Sequence, residues 1–164
     1  MATRGTLNRI RALHRAWNDR RWQDYAALLA EDCITHVSGI PAPQGKAEQL
    51  AWAQSFCAAF PDCRIVTDGY LQLFASHDGA RSVAVTRLVG HAVCRPPLLD
   101  GMLLEPFRRG FDVTLTVIAH WRDGKVVVQH SHLDTETMRR QLRVVPDPLA
   151  GGAAPSPPPP DGMT

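Results

Sequence analysis

The stretch Trp121-Arg122-Asp123-Gly124-Lys125-Val126-Val127-Val128-Gln129-His130-Ser131-His132-Leu133-Asp134 decides the fold. An Asp-Gly pair between two alternating runs marks a β-hairpin turn, so Phe111–Trp121 and Lys125–Leu133 read as antiparallel partners. Side chains two apart on a strand share a face. His130, His132 and Asp134 therefore point the same way, and three proton-handling groups on one face of a strand indicate chemistry.

Register decides whether His120 joins them. With a two-residue loop at Asp123-Gly124, Trp121 pairs with Val126 and His120 lands on the face opposite Asp134. With a three-residue loop, Arg122-Asp123-Gly124, closed by a glycine bulge, His120 pairs with Val126 and shares the face of the polar trio. One face then holds Ala119, Trp121, Val127, Gln129, Ser131 and Leu133; the other holds Thr116, Ile118, His120, Val126, Val128 and the trio. Both are half apolar, so alternation leaves the choice open.

Working outward, Cys63–Ala75 and Arg81–Val93 read as two earlier strands, with a turn at Asp78-Gly79. Leu7, Ile10, Leu13 and Trp17 recur at helical spacing, and Asn18-Asp19 break that helix. A second helix runs from Trp22 to Leu29, a short strand from Cys33 to Val37, and a loop from Ser38 to Gly45. The third helix, Lys46 to Phe60, carries Leu50, Ala53, Phe56, Cys57 and Phe60 on one face and stops before Pro61, because proline disfavours helix in its predecessor. Three helices followed by an antiparallel meander make an α+β fold, a cone-shaped α+β barrel whose helices pack on one face of a curved sheet. A pocket for a small, mostly apolar molecule lies between them. The uncovered outer face points to a homodimer or higher homo-oligomer.

The 94–110 interval holds three prolines and reads as a long loop or lid. The Pro-rich stretch 146–164 has too little apolar surface to offset its ordering entropy and reads as a disordered tail after a single domain, 1–145. The 164 residues carry a formal charge of only +2 with scattered Lys and Arg, which excludes a nucleic-acid footprint. Four cysteines without C-x-x-C spacing fit small buried hydrophobes in a reducing compartment. No apolar run follows the N-terminal arginines and none reaches membrane-spanning length, so the expected location is cytoplasmic, without membrane association.

A carboxylate among apolar neighbours, oriented by a histidine, meets the requirements of a general base for a carbon acid, and a second histidine can donate to the enolate oxygen. Two other readings stand beside it. Asp134 followed by Thr135-Glu136-Thr137 fits the N-cap of a short helix ending near Leu142. His130, His132 and Asp134 also fit a zinc or iron site. His14 and His77 read as exposed and carry no role.

Ala59-Phe60-Pro61-Asp62 after the third helix, Gly90-His91 at a strand end, Asp123-Gly124-Lys125 at the hairpin, and Asp134 followed by Gln141-Leu142 together resemble the SnoaL-like polyketide cyclases over residues 7–145. These are the ester cyclase branch of the nuclear transport factor 2-like superfamily. The resemblance implies the cone fold and ring closure by intramolecular aldol condensation of an aromatic polyketide-like small molecule, with no cofactor and no metal. It implies Asp134 as base and His120, fourteen residues earlier, as the group assisting the enolate, which selects the three-residue loop; His132 joins as a third catalytic candidate. Expected substrate contacts are His36, His91, His130, Trp17 and Phe56. The chain departs from the family at His130, where a tryptophan is usual, at Arg108-Arg109-Gly110 in place of Pro-Thr-Gly, and in a longer 91–110 loop. On this reading Asp134→Asn abolishes turnover and spares the fold. The alternatives are a hydroxylase or hydrolase on the same scaffold, metal-assisted in one version, and a non-catalytic ligand-binding or dimerisation module. In that module Trp17, Trp52, Phe56 and Phe74 fill the cavity and Asp134 only caps a helix.

Overall fold

The computed structural model describes residues 2–93, 102–103, 109–143 and 145–146. Helix α1, Ala2–Asn18, buries Thr6, Ile10, Leu13, His14 and Trp17, a three-to-four-residue spacing that turns one stripe inward. Asn18 ends it and ties it to the sheet: its Nδ2 donates to the Ile65 carbonyl at 2.8 Å and its Oδ1 accepts from the Ile65 N–H at 2.7 Å. Helix α2 spans Trp22–Ala27, strand β1 Leu29–Val37 and helix α3 Lys46–Ala59. Strands β2 (Arg64–Ile65), β3 (Gln72–Ala75), β4 (Arg81–His91), β6 (Gly110–Arg122) and β7 (Lys125–Leu133) follow, with helix α4 at Thr135–Leu142. A separate two-stranded ribbon joins β5, Met102–Leu103, to β8, Val145–Pro146.

The main sheet has the order β1-β7-β6-β4-β2, with β3 also on β4. All its pairs are antiparallel except β1 with β7, so the sheet is mixed and mostly antiparallel, as the α+β reading expects. Two strand bounds differ from expectation. The single strand at 63–75 is two, because Arg64-Ile65 and Gln72–Ala75 meet successive parts of β4 while the residues between them leave the ladder. The strand expected at Cys33 starts at Leu29 and is irregular between Leu29 and Ile34. Gly90 on β4 permits the approach of β2: a Cβ there would lie 2.7 Å from Cys63 Cβ.

The β6–β7 hairpin combines parts of both registers. Its loop is the two-residue one, with Asp123 at φ 51° and Gly124 at φ 77°, and Trp121 pairs with Val126. Val127 is then an extra residue, so His120 pairs with Val128 rather than Val126. The three-residue loop is therefore corrected, although the bulge returns His120 to the face of His130 and His132. That face is the outside of the cone. Val117, Ala119 and Trp121 are buried on the concave side, where Gln129, Ser131 and Leu133 share their face.

Helices α1 and α3 close the concave side through Ile10, Leu13, Phe56 and Phe60, all fully or almost fully buried and each worth about 1.5–3 kcal/mol in transfer free energy. The outer face, expected to self-associate, presents Phe74 at 52 % exposure and Ile34 at 41 %. Most of the 94–110 lid segment, Cys94 included, and the tail after Pro146 fall outside the described residues. Among the described residues no helix is long and apolar enough to cross a membrane.

Candidate active site

The concave face of the sheet and the helices enclose a cavity of about 60 Å³. Its walls, among the described residues, are mostly apolar, with Leu13, Trp17, Leu115, Val117 and Leu133 beside polar groups of His14, Tyr25, Gln49, Trp52, Gln129 and Ser131. A cavity of roughly 150 Å³ holds a benzene ring, so an aromatic ligand enters only if lining side chains move aside. Arg20 braces the floor. Its guanidinium lies 5.0 Å from the Trp17 ring centroid and donates to the Trp17 carbonyl at 3.0 Å and the Cys63 carbonyl at 2.8 Å.

His14 is the central group. It projects from the buried stripe of α1 at 2 % exposure, and its Nδ1 lies 2.9 Å from Tyr70 Oη, with the two rings stacked. Desolvation pushes its pKa down to about 4, so the ring is neutral near pH 7. Tyr70 Oη can donate to or accept from Nδ1, so the contact is compatible with either tautomer, and Nε2 is buried without a partner. As a lone pair Nε2 can take a proton; as an N–H it can donate to a carbonyl oxygen.

Two further polar pairs line the cavity, one between helices α2 and α3 and one on β7. Gln49 Nε2 donates to Tyr25 Oη at 3.1 Å, and Gln129 Nε2 donates to Ser131 Oγ at 3.0 Å. Burial pushes the Tyr25 phenol up to about 12, so it stays protonated. Gln49 Oε1, Gln129 Oε1 and Trp52 Nε1 are buried and unpartnered. A buried polar atom without a partner costs about 1–3 kcal/mol, so four of them on one small cavity are expensive unless a ligand meets them.

The expected catalytic trio lies elsewhere. Asp134 is exposed at the head of α4, where its Oδ1 accepts from the Thr137 N–H at 3.0 Å. That bond, with Thr137 as the first cause, holds its carboxyl below the usual range, the opposite of the raised pKa expected of a carbon-acid base. The helix-cap alternative is the arrangement found. His120 cannot assist Asp134: the Asp134 N–H bonds the Thr114 carbonyl at 3.3 Å, and six residues of β6 at about 3.4 Å each separate Thr114 from His120 by roughly 20 Å. His132 is exposed, with Nδ1 3.4 Å from Ser38 Oγ.

Of the expected substrate contacts, Trp17 lines the cavity and Phe56 packs behind it, with ring centroids 6.3 Å apart. His36 and His130 leave the set, because they stack on one another outside the cone at 4.6 Å between centroids, with His132 stacked 6.3 Å further on. His91 also leaves it. It sits at the rim, where its Nδ1 lies 2.7 Å from Asp62 Oδ2 and its backbone N–H donates to Asp62 Oδ1 at 2.8 Å. Among the described residues no three His, Cys, Asp or Glu side chains converge as metal ligands, and His130, His132 and Asp134 do not.

Sequence reasoning placed His14 outside and passed over Tyr25, Gln49 and Gln129. The signal for His14 was present: it stands four residues after Ile10 and three before Trp17, on the apolar stripe itself. Gln129 and Ser131 alternate with the histidines, and only the direction of the sheet's curvature tells which set is inside.

A profile of the SnoaL-like polyketide cyclases matches residues 8–142. No curated protein sequence matches the chain. Among solved structures, a proposed polyketide cyclase from Xanthomonas campestris superposes with TM-score 0.75 at 16 % identity, covering 87 % of this chain and 99 % of its own. IdmH from Streptomyces antibioticus, also a proposed polyketide cyclase, superposes at 0.71 with 21 % identity over 84 % of this chain and 98 % of its own. AclR from Streptomyces galilaeus, a proposed hydroxylase, superposes at 0.69 with 14 % identity over 84 % and 95 %. At these identities the structures share the fold, while the profile covers most of the chain: it belongs to the SnoaL-like polyketide cyclase family.

Proposed function

We propose that this chain is a cyclase- or isomerase-type enzyme that moves a proton at the α-carbon of a small carbonyl compound held in the cone, with His14 as the proton-handling group. The observation that carries this reading is the buried, neutral His14 in the lining of the cavity between helices and sheet, held by Nδ1 to Tyr70 and keeping an unpartnered Nε2. In the forward step Nε2 takes the α-hydrogen as a proton, and the C–H electron pair becomes an enolate. The new imidazolium and enolate pair inside a low-dielectric site, which offsets the desolvation that otherwise disfavours the charged ring. In ring closure the enolate carbon attacks a second carbonyl of the same molecule, and the resulting alkoxide recovers the proton from His14. The walls supply the proximity that makes this attack effective.

Deuterium uptake at the methyl group of 4-hydroxyacetophenone in D₂O, followed by NMR, tests the first half of this chemistry without the natural substrate. The wild-type chain is expected to accelerate exchange over buffer and His14→Phe to lose that acceleration. Equal rates in wild type, variant and buffer remove His14 from the mechanism. One observation favours a second reading, ligand binding without turnover: among the described residues no Asp or Glu lines the cavity. Binding of the ketone with no exchange is its signature.

A further inference from the structure

Resting on the reading of this cavity as the reaction site, we propose that it selects an uncharged ligand bearing both a hydrogen-bond donor and a carbonyl acceptor, a neutral hydroxy-ketone, and rejects carboxylates and amines. Among the described residues the lining contains no Lys, Arg, Asp or Glu. A carboxylate would meet two amide oxygens with no cation to pair with, and an ammonium would lose its hydration with no carboxylate to replace it.

The polarity of the unpartnered atoms specifies the rest. The amide nitrogens of Gln49 and Gln129 each donate to a neighbour, Tyr25 and Ser131, whereas both Oε1 atoms, which only accept, have no partner. Trp52 Nε1 only donates. Gln49 and Trp52 lie one turn apart on helix α3 and Gln129 lies on strand β7, so a ligand meeting all three needs a donor and an acceptor toward α3 and a donor toward β7. Gln49 and Gln129 are 3 % and 4 % exposed, so water from the bulk does not satisfy them directly. Sites that hydrogen-bond a hydroxyl discriminate strongly against analogues lacking it, because their buried groups are then left unpaired.

Isothermal titration of the full chain at pH 7.5 with 4-hydroxyacetophenone, acetophenone and 4-hydroxybenzoate tests this order. The hydroxy-ketone is expected to bind at least tenfold more tightly than acetophenone, and the benzoate not to saturate. In Gln49→Met/Gln129→Met the tenfold advantage should shrink to within twofold; if that variant does not fold, the wild-type order decides alone. Benzoate binding as tightly as the hydroxy-ketone, or acetophenone within twofold of it in the wild type, overturns the proposed selectivity. That failure is separate from the cavity reading, which stands as long as His14→Phe abolishes deuterium exchange. If none of the three compounds binds, both fall together.

Discussion

Strand β7 has two faces with opposite chemistry. Outward it carries His130 and His132, followed by Asp134; inward it carries Gln129, Ser131 and Leu133. The outer groups can be charged, and they are screened by solvent or already occupied: Asp134 caps α4, and His130 stacks on His36. The inner groups are neutral, Gln129 and Leu133 are buried, and Gln129 Oε1 has no partner. Reactivity follows desolvation and unmet hydrogen-bonding capacity more than the count of titratable side chains. A histidine on α1, absent from the strand altogether, is then a better candidate than any of the strand's own.

Paired substitutions break this comparison most directly. His14→Phe is expected to lower deuterium exchange or turnover by about 10² to 10⁴, the usual contribution of a positioned acid–base group. Asp134→Asn should stay within twofold of wild type. Steady-state rates of the two variants at pH 7.5 decide between the faces: a large loss in Asp134→Asn with an active His14→Phe would return the chemistry to the outer face.

The next effect is on stability. His14 has a folded pKa of about 4 and an unfolded value near 6.5. A histidine depressed in the fold makes the unfolded chain bind more protons between those values, so its contribution is complete above about pH 6.5 and is lost as pH falls toward 4. The difference corresponds to about 3 kcal/mol. Urea unfolding between pH 7.5 and pH 4.5 should show this slope in the wild type, and His14→Phe should flatten it. A slope unchanged in the variant would show that His14 does not titrate in this window.

The architecture was largely legible because it rests on local signals. Asp123-Gly124 marks the turn, Pro61 stops α3, and Ile10, Leu13 and Trp17 reveal the stripe of α1. The site was less so. One bulge residue, Val127, among three consecutive valines determines how the faces of β6 and β7 combine, and no composition rule distinguishes it from its neighbours. The parallel pairing of β1 with β7 brings His36 onto His130 and has no signature within either strand. Asp134 was ambiguous for a physical reason: aspartate suits both a helix cap and a base, and only its hydrogen bond from Thr137 separates the two.

That cap gives a smaller test of the outer face. Asp134→Ala removes the acceptor for the Thr137 N–H and should cost about 1 kcal/mol, whereas Asp134→Asn keeps a capping oxygen and should cost a few tenths. Thermal unfolding at pH 7.5 compares them. Equal losses in both variants would mean that the charge of Asp134, rather than the cap, stabilises the start of α4.

The smallest effect concerns the imidazole stack. His130 is held below the ordinary histidine range first by burial and then by His36, His132 and His120, the titratable groups sharing its face across β1, β7 and β6. Its folded value is lowered, so its contribution is present above the unfolded pKa and fades as pH falls and the rings begin to repel. His130→Val removes the central ring while keeping a β-branched residue beside Ile118, its partner on β6. The variant's thermal midpoint should match wild type at pH 8 and exceed it by a degree or two at pH 5, roughly the shift a few tenths of a kcal/mol produces in a chain of this size. If the variant gains nothing at acid pH, repulsion within the stack is negligible. Deuterium exchange should be unchanged at either pH, because among the described residues none of this face lines the cavity beside His14.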